Sequence, residues 1–269
     1  MSTLLTSKPC TVAELEIPAF AGWLKRMRRP QIAHRKFWEF AYIARALSER
    51  GMLAAGMRGL GFAVGSEPLS ACFASLGCYV LATDQPASQQ AAGWASSGMH
   101  ASSLTAINRD GICPADIFER QVRFAPVDMN AIPEVLCHYD FLWSSCAMEH
   151  LGGLQHGVDF VQRAMRCLRP GGIAVHTTEL NLSSNTETYE DRTTSIYRRR
   201  DLDWLFEALA SAGHEVEPMQ GEEPNEAPDE PEYSNQAEEA HYNRLPHVVM
   251  KIRGFSCTSV GLIVRAGPF

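Results

Sequence analysis

Three residues of this sequence are suited to accept a proton during catalysis. His150 follows a β-rich stretch, His176 lies inside another, and Glu179 comes directly after it. Histidine titrates near neutral pH, and a carboxylate at a strand end is a second proton acceptor. We therefore predict that these three residues supply the catalytic groups. The plainer alternatives are a helix-start histidine for His150 and a hydrogen-bonded core histidine for His176.

Two glycines and an acid form a second group, which suits a nucleoside. Gly61 and Gly65 interrupt a short apolar stretch, and Asp84 follows the next β-rich segment, 19 residues after Gly65. Strand, glycine turn, helix, strand and acid at this spacing is the βαβ layout in which the acid accepts hydrogen bonds from ribose hydroxyls. The pattern predicts a nucleoside site with Asp84 as its ribose ligand. The alternative for Asp84 is a helix cap or a loop acid.

Possible metal ligands are present, but no two lie at a diagnostic spacing. The eight cysteines are scattered without a CxxC pair, which is typical of reduced thiols in a cytoplasmic protein. A divalent ion that lowers the pKa of an acceptor hydroxyl is an open alternative, but we predict no metal site. The candidate ligands for such an ion are Glu149, His150, His176, Glu179, Asp229 and His247.

Alternating apolar and helical segments must position these residues. The alternation predicts a parallel sheet with helices on both faces. Near the C-terminus, segments 247–252 and 258–265 predict a hairpin whose last strand runs antiparallel. The predicted fold class is α/β, doubly wound, with a mostly parallel seven-stranded sheet, an antiparallel last strand and N-terminal helices. The leading strands are predicted at 60–64, 79–84, 122–130, 139–145 and 173–178.

Composition limits the classes of partner. The 269 residues include 24 basic and 31 acidic side chains, and the net charge is −7. This balance argues against a nucleic-acid binder that follows phosphates. No apolar run reaches about 20 residues, so we expect no transmembrane helix. The first ten residues lack the apolar core of a signal peptide, and we expect a cytoplasmic protein.

Five marks in the right order resemble the class I S-adenosylmethionine-dependent methyltransferases. The resemblance covers roughly residues 55–268. It implies a Rossmann-like fold and S-adenosylmethionine as the cofactor. The marks are the glycine turn Gly61 to Glu67, Asp84, Asp128 with Met129, the segment 144–151 and the bend 168–172.

The resemblance also implies roles for individual residues. Asp84 would accept from both ribose hydroxyls, Asp128 would accept from the adenine amine, and Met129 would lie on the ring. Gly61 stands where the family has an acid, Ala63 where it has the first glycine, and Glu67 where it has the last. Ser144 and Ser145 would face the same cleft. The predicted cofactor-binding residues are Gly61, Gly65, Glu67, Asp84, Asp128, Met129, Ser144 and Ser145.

Two domains are predicted on this basis. Residues 1–54 form a helical layer on the sheet or a lid over the cofactor cleft, and residues 55–269 form the Rossmann-like methyltransferase domain. A polar and acidic insertion near 220–245 is either a solvated loop or a gate over the acceptor. The residues that a lid would turn toward the ligand are His34, Arg35 and Glu39.

The predicted function is O-methylation of a small or saccharide-like acceptor with S-adenosylmethionine. The prediction of a saccharide-like acceptor rests on a resemblance to a bacterial methyltransferase-like group that shares the motifs at 143–147 and 175–179. Two alternatives stay open: an N-methyltransferase of a small metabolite, and a non-catalytic subunit that binds the cofactor. We expect no nucleic-acid or membrane partner, and the sequence makes no prediction of oligomeric state.

Overall fold

The computed structural model describes residues 4–85, 104–221 and 247–268. Most of the predicted acidic insertion, including Asp229, lies outside the described residues. In the described part, no helix is long and apolar enough to cross a membrane. The strands are β1 Lys8–Pro9, β2 Arg58–Phe62, β3 Tyr79–Asp84, β4 Val122–Pro126, β5 Tyr139–Ser145, β6 Leu168–Asn181, β7 Glu215–Val216, β8 Val249–Ile252 and β9 Phe255–Arg265.

Helices connect most of these strands. Short 3₁₀ turns at Met148–His150 and Met165–Cys167 flank the helix that follows β5. The helices are α1 Val12–Leu15, α2 Pro18–Arg26, α3 Arg35–Glu49, α4 Leu69–Ser75, α5 Leu104–Ile107, α6 Ala115–Gln121, α7 Leu154–Ala164 and α8 Arg199–Ser211.

The described strands form one sheet whose centre is parallel. Strands β4, β3, β2, β5 and β6 lie side by side in that order, and each pairs with the next in parallel. β9 is inserted antiparallel beside β6. The chain leaves β2 toward β3 and leaves β5 toward β6, so the winding reverses between β2 and β5. The carboxyl ends of strands at such a reversal form a crevice, which is where open α/β sheets bind ligands.

The predicted α/β class is confirmed, and the described residues contribute nine strands to the sheet rather than the seven predicted. Three short strands cover the outer edge of β9 in turn: β8 near Cys257, β1 at Val260 and Gly261, and β7 at Val264. β1 and β7 are the two additions, whereas β8 is the first strand of the predicted hairpin. Each addition contributes only a few backbone hydrogen bonds, but together with β8 they cover an edge that would otherwise expose unpaired N–H and C=O groups.

Helices bury both faces of the parallel strands. Phe141 and Trp143 of β5 point to the side of α3 and α4, and Leu142 points to the side of α7 and α8. This alternation follows from strand geometry, and burial on both sides explains why these strands read as nearly continuous apolar runs. The core therefore has two halves, one on each face of the sheet.

Helix α3 is the N-terminal element that docks most closely on the sheet. The His34 side chain caps it by accepting a hydrogen bond from the Lys36 N–H at 3.1 Å. Tyr42 lies directly over Gly261 of β9, where an added Cβ would be 2.1 Å from the Tyr42 ring. Glycine at position 261 is therefore what lets this helix approach the sheet.

The predicted bend at 168–172 lies inside a strand rather than before one. β6 already pairs with β5 at Leu168, and the register then shifts between Tyr139 and Phe141. Gly171 has φ +79°, and its N–H donates to Ala266 O at 2.8 Å. The Pro-Gly-Gly sequence therefore forms an irregularity within β6, because the five steps from Leu168 to Ile173 match only two steps from Tyr139 to Phe141 on β5.

Candidate functional site

The turn between β2 and α4 brings the backbone toward the end of β3. Ala63 has φ +49° and Gly65 has φ +48°, so both lie in the left-handed region. That conformation costs an L-residue such as alanine about 1–2 kcal/mol. The Val64 N–H donates to Thr83 O at 3.0 Å, which ties the turn to β3. Ala63 thus adopts the conformation that a glycine adopts without strain.

Asp84 joins this turn to the end of its strand. Its Oδ2 accepts from the Gly65 N–H at 3.1 Å, and its Oδ1 accepts from the Gln85 N–H at 2.8 Å. The residue is only 7% exposed. A carboxylate offers about four acceptor positions, so these bonds are compatible with further ones to a ligand. Gly65 and Asp84, 19 residues apart in the sequence, are therefore in direct contact in the fold. Ribose binding by Asp84 stays a prediction.

A buried carboxyl group and an indole lie under the turn. Trp143 Nε1 donates to Glu67 Oε1 at 2.6 Å. Burial raises the pKa of the Glu67 carboxyl to about 8, although the bond from Trp143 opposes it. A Cβ on Gly61 would lie 2.4 Å from the Trp143 ring, so the indole occupies the space beside Gly61. Gly61 and Glu67 therefore both serve to seat Trp143, a role that the turn pattern did not predict.

Asp128 and Met129 follow β4 and lie beside the loop after β5. The Asp128 side chain accepts from the Asn130 N–H at 2.8 Å, and Asn130 in turn donates to Leu151 O at 3.2 Å. Met129 is buried in the same apolar cluster as Met148. The sequence predicts a strand that runs through Asp128 and Met129, but β4 ends at Pro126, so the two predicted adenine contacts lie in the loop after it. Their cofactor roles stay predictions.

Ser144 and Ser145 lie on opposite faces of the sheet, and their cofactor roles stay predictions. Ser144 Oγ lies 2.8 Å from His176 Nδ1, whereas Ser145 Oγ donates to Glu39 Oε2 at 2.9 Å. Successive residues of a strand point to opposite faces. Only Ser145 is on the face of the sheet covered by α3.

His176 is enclosed by the core. It is fully buried, and its ring meets the Phe160 ring edge-on with centroids 5.6 Å apart. Burial lowers the pKa of the imidazole to about 3. Nε2 has no hydrogen-bond partner among the described residues. A catalytic role for His176 stays a prediction, and this environment favours a structural one.

Glu179, by contrast, meets the charged N-terminal turn of α3. Arg35 Nη1 lies 2.6 Å from Glu179 Oε1 and 3.3 Å from Glu39 Oε1. Glu39 also bonds Lys36 at 3.0 Å and Ser259 at 2.6 Å. Burial disfavours the charged form of Glu39, but Lys36 and Arg35 outweigh it and hold its pKa at about 2. Arg35 and Glu39, two of the three residues of the lid hypothesis, are therefore bonded to strands of the sheet.

A thiol joins two acids at the carboxyl ends of β5 and β6. Cys146 Sγ lies 3.7 Å from Glu179 Oε1, and ligand atoms of Cys146, Glu149 and Glu179 all lie within 4.8 Å of one another. Thr178 Oγ1 donates to Glu149 Oε2 at 3.0 Å. Burial raises the pKa of Glu149 to about 7 and also raises that of Glu179. Neither the number nor the spacing of the cysteines in the sequence indicated that Cys146 would lie beside two acids.

His150 lies at the border of this cluster. Its Nδ1 is 2.7 Å from Thr193 O, and because a carbonyl only accepts, Nδ1 carries the proton in the neutral ring. Nε2 is then the basic nitrogen, and it lies 4.0 Å from Glu149 Oε1. Burial lowers the pKa of the imidazole. The fold thus brings His150 and Glu179 to one region through Glu149, and it separates His176 from them.

No protein-family model and no curated sequence matches this chain. Solved structures do match, at low identity. A Galdieria sulphuraria protein, provisionally assigned as a sarcosine dimethylglycine methyltransferase, is 13% identical with TM-score 0.51, over 87% of this chain and 85% of its own. Magnesium protoporphyrin IX methyltransferase of Synechocystis PCC 6803, solved with bound SAH, is 10% identical with TM-score 0.50, over 92% and 94%.

The cyclase SpnF is also similar, with 15% identity and TM-score 0.50 over 85% of this chain and 84% of its own. Because a cyclase shares the architecture with methyltransferases, likeness at this level defines the fold and leaves the reaction to the site. The strand order and the antiparallel β9 agree with that architecture. The chain has the class I fold of S-adenosylmethionine-dependent methyltransferases.

Proposed function

We propose that the protein is an S-adenosylmethionine-dependent methyltransferase that methylates an oxygen of a small, saccharide-like acceptor. The observation that carries the proposal is the contact between the glycine turn and Asp84. A buried carboxylate, bonded to the Gly65 N–H, lies at the carboxyl end of β3, next to the reversal of the sheet. This is where an adenosine ribose is bound in open α/β sheets.

The cofactor supplies the methyl group on a sulfonium, so the acceptor oxygen forms the new bond to carbon while sulfur keeps the electron pair of the bond that breaks. Asp84 would hold the ribose through its two oxygens. Asp128 would accept from the adenine amine, with Met129 against the ring. Gly65 gives the turn its close approach, because a left-handed backbone with no Cβ leaves room beside it.

The proton of the acceptor hydroxyl would pass to His150. Its Nδ1 is committed to Thr193 O, so Nε2 receives the proton. Glu149, 4.0 Å away, favours the imidazolium that results. A hydroxyl needs such a base more than an amine does, since a neutral amine attacks through its own lone pair. This need is the reason that we place the transfer at oxygen.

The surroundings of this base support a hydroxyl-rich acceptor. Thr178, Thr193, Glu149 and Glu179 place hydroxyl, carbonyl and carboxyl groups close together at the ends of β5 and β6. Such groups both donate to and accept from sugar hydroxyls. The net charge of −7 agrees with a small-molecule acceptor rather than a nucleic acid.

Calorimetry with S-adenosylmethionine and S-adenosylhomocysteine tests whether the protein binds the proposed cofactor. We expect wild type to bind both, and Asp84→Asn to weaken binding at least about tenfold, because one hydrogen bond to a charged group is worth roughly 1.5–3 kcal/mol. Asp203→Asn, an exposed acid of α8, is the matched control and should bind as wild type does. Absence of binding by folded wild type would overturn the proposal.

A methyl-transfer screen over sugars, small hydroxyl compounds and amines tests the proposed acceptor class. His150→Gln should lose activity by about 10²–10⁴-fold and keep its cofactor affinity, since general base catalysis contributes that much. His156→Gln, an exposed histidine of α7, is the control and should stay fully active. Full activity of His150→Gln, or turnover of amines alone, would remove the assignment to oxygen with His150 as base.

A further inference from the structure

We propose that Cys146, Glu149 and Glu179 form a binding site for a thiophilic divalent cation of the zinc class. Cys146 and Glu149 come from the loop after β5, and Glu179 comes from the end of β6. Glu179 is therefore at least 30 positions from either of the others in the chain. Their spacing in the chain therefore carries no metal signature. The site is a product of the parallel pairing of β5 with β6.

The geometry is close to that of a coordination sphere. One ligand atom from each residue lies within 4.8 Å of the other two, and Cys146 Sγ is 3.7 Å from Glu179 Oε1, the oxygen that also accepts from Arg35. Zinc binds sulfur at about 2.3 Å and carboxylate oxygen at about 2.0–2.2 Å, so tetrahedral ligands lie about 3.4–3.8 Å apart. Side-chain shifts of about 1 Å would close the remaining difference.

Two oxygens of the cluster point to a ligand independently of that geometry. Glu149 Oε1 and Glu179 Oε2 have no hydrogen-bond partner among the described residues. The two residues are only 1% and 4% exposed, so water does not replace the missing donors at the surface. A buried carboxyl oxygen without a donor is costly. One cation between them would satisfy both.

The second oxygen of each acid is already held in place. Thr178 Oγ1 donates to Glu149 Oε2 at 3.0 Å, and Arg35 Nη1 donates to Glu179 Oε1 at 2.6 Å. Metal ligands in proteins are oriented by such outer hydrogen bonds. One oxygen of each carboxyl group is therefore fixed by a hydrogen bond, and the other is left for a ligand.

The backbone at Cys146 aims the thiol at the same point. Cys146 has φ +43°, a left-handed conformation that a non-glycine residue adopts at a cost. Its N–H is held by the Thr177 carbonyl at 3.0 Å and the Thr177 hydroxyl at 3.1 Å. Strain of this kind persists where the surroundings fix it, and here it turns Sγ toward Glu179.

Local charge also fits a divalent ion. Coordination removes the thiol proton to solvent, so Cys146, Glu149 and Glu179 carry three negative charges when they bind. Arg35 and Lys36 share the carboxylate of Glu39, so these three residues leave one net positive charge to offset one of them. Two negative charges remain for the ion. A thiolate favours zinc or cobalt over magnesium, which prefers oxygen and water.

Three protein ligands leave the fourth position of a tetrahedral ion open, as in catalytic zinc sites. His150 Nε2 lies 4.0 Å from Glu149 Oε1, one of the proposed ligand atoms. An acceptor hydroxyl bound there would ionise more readily, with its proton passing to His150. This role rests on the proposed function, whereas binding of the ion does not.

Cobalt and zinc titrations of metal-free full-length protein test the site. We expect one equivalent of Co²⁺ to produce a near-ultraviolet sulfur-to-cobalt absorption band, and one equivalent of Zn²⁺ to abolish it by displacement. Cys146→Ser should lose the band, and Glu149→Gln and Glu179→Gln should bind at least tenfold more weakly. Cys137→Ser, which changes a half-buried thiol at the other end of β5, should behave as wild type. Mg²⁺ should give no competition.

A second measurement needs no variant. Zn²⁺ should protect one thiol of wild type from alkylation, and peptide mass spectrometry should assign that thiol to Cys146. Retention of the cobalt band by Cys146→Ser, protection of another cysteine, or absence of stoichiometric zinc binding by folded wild type would each overturn the site. Cofactor calorimetry on the metal-free protein separates the two ideas, because S-adenosylmethionine binding without zinc binding removes only this inference.

Discussion

At the scale of single residues, buried carboxyl groups fall into two kinds. Glu39 is surrounded by cations and hydroxyls and stays ionised, with its pKa held at about 2. Glu67 has the Trp143 indole N–H as its close donor, and its pKa is raised to about 8. The same residue type is therefore a charged anchor under α3 and a neutral acid under the glycine turn. Both residues are buried, so the opposite directions of their pKa shifts come from the groups that bond to them.

Glu67→Gln should flatten the dependence of stability on pH. Between about pH 4.5 and 8 the unfolded chain loses the Glu67 proton while the folded chain keeps it, so the free energy of unfolding falls as pH rises. A pKa of about 8 in place of 4.5 corresponds to about 5 kcal/mol over that window. Relative to wild type, the variant should gain stability from pH 5 to pH 8 in urea unfolding.

Glu134→Gln, an exposed acid, is the control and should give a curve parallel to that of wild type. Parallel curves for Glu67→Gln and wild type would show that the Glu67 carboxyl is ionised in the folded state.

His176→Asn tests whether this histidine is structural. The asparagine amide can keep the bond to Ser144, but loss of the ring next to Phe160 should lower the free energy of unfolding by about 1–3 kcal/mol. Cofactor affinity and turnover should change less than about twofold. A fall in turnover of 100-fold at unchanged stability would instead make His176 catalytic.

The same variant has a pH signature. The folded-state pKa of His176 is lowered to about 3, so in wild type the unfolded chain takes up a proton that the folded chain refuses, and stability falls from about pH 6.5 toward pH 3. The His176→Asn variant does not lose stability in this way. The difference in the free energy of unfolding between variant and wild type should therefore become smaller as the pH falls from about 6.5 toward 3.

At the scale of elements, α3 connects the N-terminal residues to the site. Its first turn places Arg35 against Glu179 of β6, and Glu39 one turn later accepts from Ser145 and Ser259 of two strands. Tyr42 then fills the space over Gly261. The helix therefore positions Glu179 as well as covering apolar surface.

Glu39→Gln should destabilise the protein strongly. It leaves the buried Arg35 and the half-buried Lys36 without their shared carboxylate, and removal of one partner of a buried ion pair costs about 3–5 kcal/mol. Chemical unfolding at pH 7 measures it. Asp203→Asn, which breaks an exposed pair on α8, should change stability by no more than about 0.5 kcal/mol. A cost below 1 kcal/mol for Glu39→Gln would contradict the assigned role.

At the scale of the whole molecule, β9 is the strand on which distant parts of the chain meet. It pairs with β6 on one side and with β8, β1 and β7 on the other. Ser7 Oγ accepts from the Ile263 N–H at 3.0 Å, and the Cys10 N–H donates to Ser259 O at 2.7 Å. The N-terminal segment is thus part of the sheet edge.

Removal of residues 1–10 should lower the melting temperature by about 5–10 °C, because a few kcal/mol correspond to roughly that change in a protein of this size. The exposed edge of β9 should also promote association, visible by size-exclusion chromatography. Lys8→Ala keeps the backbone ladder and removes only an ion pair with Glu14, so it should melt within about 2 °C of wild type. An unchanged melting temperature after truncation would contradict the role of β1.

The sequence by itself determined the elements and their order. Short apolar strands, glycine ends of helices and the distance from Gly65 to Asp84 are local properties, and they predicted the parallel centre of the sheet and the antiparallel β9. Local patterns fail where partners are distant in the chain. β1 has two residues, too few for a strand pattern, and it forms only because β9 offers an open edge.

The tertiary structure decided which side chains share a site. Ser144 and Ser145 are adjacent in sequence, yet the pleat sends them to opposite faces, one to His176 and the other to Glu39. Parallel pairing of β5 with β6 brings Cys146 and Glu149 to Glu179 across some 30 residues. Contacts of that kind depend on strand register, which is set by packing over the whole sheet and not by any local run of residues.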